Sequence, residues 1–158
     1  MVPFLSRIAV AATLLLVSSH SVFAHTQGMH ISNVYARATF PMAATGAVYL
    51  SLMNHHNEAV TLVAIDVASS VAQEAQIHTT VMDGDVMRMR EVAEGVKIGP
   101  HGTALFAPGG MHVMLMGLTK GLNDGESFEL TLTFDNHDPV TITVPVKKDN
   151  QGSTHHHH

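Results

Sequence analysis

The sequence predicts an all-β domain, an antiparallel sandwich or barrel of about ten short strands. Two observations carry this. Short apolar or alternating runs recur along the chain, separated by Gly, Pro, Asn and Asp turn signals. No long segment has the 3.6-residue periodicity of an amphipathic helix, and no internal repeat or linker divides the chain.

The elements follow in order. His30 to Thr39 alternates as a strand and stops at Phe40-Pro41, and Gly46 to Met53 is a strong apolar strand. Asn54 to Glu58 is a polar turn, with His55 and His56 on opposite sides if extended. Ala59 to Val67 and Gln73 to Val81 are the next two strands. Asp83-Gly84 then signals a two-residue hairpin into Val86 to Val92. Val96 to Ile98 and Thr103 to Phe106 flank a Gly-Pro-His-Gly turn. Gly109 to Leu118 holds a strand that puts His112, Met114 and Met116 on one face, and Val113 and Leu115 on the other. Phe128 to Phe134 and Val140 to Val146 alternate apolar with polar residues, and Pro145 marks an edge or a strand end.

The chain has 158 residues, 46% hydrophobic and 13% charged, which suits a globular protein rather than a disordered one. Its net charge is -5 and it has no basic patch, so nucleic acid is not an expected partner. Residues 1–24 read as a secretory signal peptide: Arg7, an apolar run from Ile8 to Val17, then Val22-Phe23-Ala24 at the cleavage point. The apolar run is too short for a comfortable membrane span, so no stable membrane association is expected after cleavage. Residues 25–148 form the expected single domain. Residues 149–158 are expected to be a disordered His-rich tail or tag.

There are 10 Met, 13 His and no Cys. In an oxidising compartment thioethers are soft ligands that cannot be lost to disulfides, although they can become sulfoxides. Two His-plus-Met pairs stand out. If Asp83-Gly84 is the turn, partners across the hairpin sum to 167 and His78 faces Met89. His112 and Met114 lie along one strand face. Each pair is half of a two-nitrogen, two-sulfur set suited to Cu(I), and the lack of Cys and of clustered carboxylates argues against zinc, calcium and magnesium. Met fills cores more often than it binds metals. Met42, Met53 and Met82 are read as packing, and Met87 and Met116 as neighbours of the ligands.

These runs resemble the PCuAC-type periplasmic copper chaperone family. The spacing of His78, Met89, His112 and Met114 is similar to the family's metal motif. So are the runs Ala47 to Asn54, Asp83 to Arg90 and Pro108 to Leu118. The resemblance covers roughly His30 to Val146. It implies a cupredoxin-like Greek-key sandwich in the periplasm that binds Cu(I) through His78, Met89, His112 and Met114. It further implies delivery of copper toward the binuclear copper site of cytochrome c oxidase, with an oxidase subunit or a Sco-type thiol chaperone as transient partner. Thr79 stands where many members have Met, and the 22 residues between Met89 and His112 are one more than the usual spacing.

The alternative function is copper sequestration or resistance. A second, weaker Cu(II) site is expected at His25 and His155 to His158, if those are native. His25 with His30 could form an N-terminal copper brace, but one histidine at a cleavage point does not carry an enzyme. No Ser or Cys nucleophile context appears, so the protein is read as a non-enzyme.

Overall fold

The structure, a computed structural model, describes residues 28–148; the expected signal peptide over residues 1–24, His25 and the expected tail over residues 149–158 lie outside them. Among the described residues there are ten strands and no helix. They are β1 (Met29–Arg37), β2 (Thr45–Asn54), β3 (Val60–Val67), β4 (Glu74–Asp83), β5 (Val86–Glu91), β6 (Val96–Ile98), β7 (Thr103–Phe106), β8 (His112–Met116), β9 (Ser127–Phe134) and β10 (Val140–Lys147). All ten expected strands are present.

Two layers form. One runs β5-β4-β8-β2-β1, with β7 also on β2, and the other runs β10-β9-β3-β6. Every pairing is antiparallel except a two-residue parallel bridge, Ala36 to Val146 and Arg37 to Lys147, which joins the layers through β1 and β10. This is the cupredoxin-like β-sandwich. Alternation dictates what lies between the layers. Val48, Leu50 and Leu52 of β2, Val113 and Leu115 of β8, and Leu130 and Leu132 of β9 are all essentially inaccessible. The odd-numbered residues of β2 and the even-numbered residues of β4 and β8 therefore face outward from the first layer.

Strand β2 is shared by two partners. Thr45 to Val48 pair with β8, and Leu50 to Met53 pair with β7. Between those partners the chain leaves the sheet over residues 107–111. The Ala107 N–H donates to Met111 O at 2.8 Å and closes the neck. Inside it, the Gly110 N–H donates to Ala107 O at 3.0 Å. Pro108 supplies the second position of that turn, and Gly109 (φ +81°) supplies the left-handed third position of a type II turn. The glycine pair thus bends the backbone at the mouth of β8.

The β4–β5 hairpin differs from expectation. The turn is Gly84-Asp85, not Asp83-Gly84: Asp83 pairs with Val86, and partners sum to 169. Gly84 has φ +62° while Asp85 is not in the left-handed region, the pattern of a type II′ turn with Gly first. Asp83 stays in the strand, and its carboxylate accepts an ion pair from Arg88 at 2.9 Å. Moving a two-residue turn by one position changes the pair sum by two, so every side chain keeps its face while its partner changes. His78 therefore faces Glu91, and Met89 faces Thr80.

Candidate metal centre

The register brings the two predicted halves together. His78 on β4 is the direct partner of His112 on β8, and Gln76 is the partner of Met114. Met114 is also the partner of Ala47 on β2. The His78 and His112 rings lie 6.1 Å apart between centroids, at 45°. Met89 is diagonal to His78 on the same face, not directly across, which corrects the expected pairing but keeps the thioether on the ligand-bearing side.

Met89, His112 and Met114 line one open pocket of about 210 Å³, together with Arg37, Thr39, Thr45, Gly46 and Ala47. His78 is not on the wall of that pocket; its ring lies beside that of His112. His112 is only 8% exposed although its strand face points out of the sandwich, whereas Met89 is 62% exposed. The site thus has a buried imidazole base and a thioether reaching in from solvent.

Hydrogen bonds choose the free nitrogen of each ring. A backbone carbonyl can only accept, so the contact of 3.1 Å between His112 Nδ1 and Gly110 O makes Nδ1 the protonated nitrogen. Nε2 then keeps its lone pair. In His78 the Nε2–H donates to Gln76 Oε1 at 2.9 Å. The Gln76 amide is itself oriented, because its Nε2 donates to Glu74 Oε1 at 2.7 Å. That leaves His78 Nδ1 as the lone-pair nitrogen, and it is buried with no hydrogen-bond partner among the described residues. A buried acceptor without a partner is costly unless something binds it. An orphaned imidazole nitrogen next to a second imidazole and two thioethers fits a soft monovalent cation. Among the described residues no three His, Cys, Asp or Glu side chains converge, so a hard or borderline ion has no matching cage.

Sequence reasoning missed the residues that orient these ligands. Gln76 and Glu74 were legible in principle, since they precede His78 on the same face at period two. The Gly110 carbonyl depends on the turn before β8. Thr80 reinforces it, its Oγ1 donating to Gly110 O at 3.5 Å and tying the hairpin to that turn. Arg37 reaches the pocket from β1, with its guanidinium 5.8 Å from the Tyr49 ring centre, and no local pattern announced it.

The other histidines among the described residues gather near the far end of β2. His56 and His137 stack with centroids 4.5 Å apart, and both line a pocket of about 260 Å³ with Glu58 and Asp135. That pocket is the larger one, but it has no thioether. His30 packs edge-on against His55, and His101 Nε2 meets Asn57 Oδ1 at 3.0 Å.

Fold and site together define a cupredoxin-like sandwich with two histidines and two methionines clustered on the outer face of one sheet. The chain belongs to the LpqE-like lipoprotein family, the family of PCuAC domains, whose model matches residues 29–146. It is 30% identical over 125 residues to the uncharacterized protein RP573 of Rickettsia prowazekii, covering 77% of this chain and 68% of that one. It is 37% identical over 87 residues to Lxx21020 of Leifsonia xyli subsp. xyli, a protein named as a lipoprotein, and spans about half (52%) of its length. Among solved structures, Cu(I)-bound DR1885 from Deinococcus radiodurans is 28% identical with a TM-score of 0.60, covering 82% of this chain and 87% of that one. The copper-bound PCuAC domain of PmoF2 shares the fold at 21% identity, with a TM-score of 0.63 over 78% of this chain and 96% of that one.

Proposed function

We propose that this protein is an exported Cu(I) carrier, not an enzyme, which holds one ion between His78 Nδ1, His112 Nε2, Met89 Sδ and Met114 Sδ. The observation that carries this is the orphaned, buried Nδ1 of His78 beside His112. Membership in the PCuAC family and the likeness to a Cu(I)-bound relative support it.

Neutral donors suit a carrier. Two imidazoles and two thioethers add no charge to a monovalent ion, and thioethers have no proton to lose. A thiolate acceptor, being anionic and softer, can then take the ion by exchanging one donor at a time. The openness of Met89 gives an acceptor a place to start. The imidazoles must be deprotonated to bind, so acidification weakens the site. The acceptor proposed is the binuclear copper site of cytochrome c oxidase, reached directly or through a Sco-type thiol chaperone. Residues 1–24 are the proposed export signal, and residues 25–148 the functional domain. A weaker Cu(II) site at His25 and His155–His158 remains part of the proposal.

The test is Cu(I) competition against a chromophoric chelator, comparing wild type with Met89→Leu and His112→Ala. Both variants are expected to fold and to bind more weakly. Unchanged affinity in both would remove the carrier reading. Weakened binding with no transfer to an apo oxidase fragment would favour copper sequestration instead.

A further inference from the structure

The hairpin bearing Met89 carries more sulfur than the four-ligand site uses. Strand β8 pairs with β4 only over Glu74 to His78. Beyond that point β4 has β5 as its ladder partner, so Thr79 to Arg90 projects as a two-stranded ribbon. On one face of the ribbon Met82 and Met87 are direct cross-strand partners, and Met89 follows Met87 at the next position on that face. The three are 64%, 62% and 62% exposed. The opposite face holds Arg88, Arg90 and Asp83, with Arg88 and Asp83 paired at 2.9 Å. The thioethers are thus exposed together, on the face opposite both arginines, and lead toward the pocket that Met89, His112 and Met114 line, with Glu91 the next residue on their face.

Packing does not explain three open methionines, because an exposed thioether gains little from burial. Soft-metal chemistry does. Directly opposed residues have Cβ atoms about 4.5–5.5 Å apart, and diagonal ones about 7–8 Å. Methionine has three flexible side-chain torsions, so three such sulfurs can converge on one ion. We propose that Met82, Met87 and Met89 form a second, all-thioether Cu(I) stop on the hairpin, through which copper enters and leaves the His78–His112 site. Met89 belongs to both donor sets. The ion pivots about the Met89 sulfur. On leaving, bonds to Met82 and Met87 form one at a time as two inner donors are released. The third inner donor is then released as the ion passes from four donors to three. Entry reverses these steps, and no electron or proton moves. With no imidazole, the stop is weaker than the inner site and less sensitive to acid. Its role in transfer rests on the carrier reading, whereas its capacity to bind a soft cation does not.

The experiment titrates Ag(I), a redox-inert stand-in for Cu(I), into protein carrying ¹³C-labelled methionine methyl groups. The Met114 methyl is expected to shift with the first equivalent, and those of Met82 and Met87 only with the second. In Met82→Leu/Met87→Leu the first phase persists and the second is lost. Cu(I) release from that variant to bathocuproine disulfonate is severalfold slower at unchanged first-site affinity. In His112→Ala/Met114→Leu, Met82 and Met87 still respond. Methyls of Met82 and Met87 that stay still through two equivalents would overturn the stop, and an unchanged release rate would overturn its transit role. If Met82 and Met87 respond while Met114 never does, the stop stands and the carrier reading fails.

Discussion

Gln76→Leu isolates the contribution of ligand orientation from that of the ligands themselves. The side chain touches no proposed metal position, and its carbonyl accepts the His78 Nε2–H at 2.9 Å. Leucine removes the acceptor at similar volume, so the fold should hold, and the pressure that keeps His78 Nδ1 unprotonated disappears. A neutral hydrogen bond contributes about 0.5–1.5 kcal/mol net. At about 1.4 kcal/mol per decade, that is roughly a two- to tenfold loss of Cu(I) affinity. Outer hydrogen bonds to metal-bound histidines are typically worth about 10–100-fold, so the expected loss is about tenfold. Gln76→Glu, which keeps an acceptor oxygen, should lose much less. Chelator competition measures the affinity. Histidine ¹⁵N shifts in the metal-free protein report the tautomer, which should change at His78 and stay fixed at His112. If Gln76→Leu left both the His78 tautomer and the affinity unchanged, the orientation argument would be refuted.

Two further predictions concern the far end of β2. Asn54 is fully buried; its Nδ2 donates to Glu58 O at 2.8 Å and reaches Gly99 O at 3.1 Å, while its Oδ1 accepts the His56 N–H at 2.9 Å. Asn54→Ala strands these backbone groups and should cost about 3 kcal/mol in denaturant unfolding without changing Cu(I) affinity; a cost below about 1 kcal/mol would contradict this. Asp135 accepts the Thr61 backbone N–H at 2.6 Å, and chiefly this bond holds its carboxyl below the usual carboxylate range. A depressed folded-state value stabilises the fold above the ordinary range, and that stabilisation is lost as pH falls through the depressed value. Asp135→Asn should therefore be less stable than wild type at neutral pH, with the gap closing in strong acid. A gap that persists into acid would count against the Thr61 bond as its cause.

The strands were legible because a sandwich writes its two faces into the sequence at period two. Phe128 to Phe134 and Met111 to Met116 could be sorted into inward and outward residues without coordinates, and the structure agrees. That parity also survived the hairpin error. Gly84 takes the first turn position instead of the second, yet Met89 stays on the face of His78. Which strands become neighbours is not local. His78 and His112 are 34 positions apart in number, and only the packing of β8 between β4 and β2 sets them opposite one another. The free nitrogen of each ring is likewise a tertiary decision. It depends on where the Gly110 carbonyl and the Gln76 amide point once the 107–111 turn and the β4 ladder are in place. The sequence alone determined the donor chemistry, since His and Met without Cys restrict the candidates to soft, neutral coordination. Only the fold decided that Met89, His112 and Met114 share one pocket, that the His78 ring lies beside His112 and that Arg37 helps to wall the pocket, because residues distant along the chain meet only through sheet order.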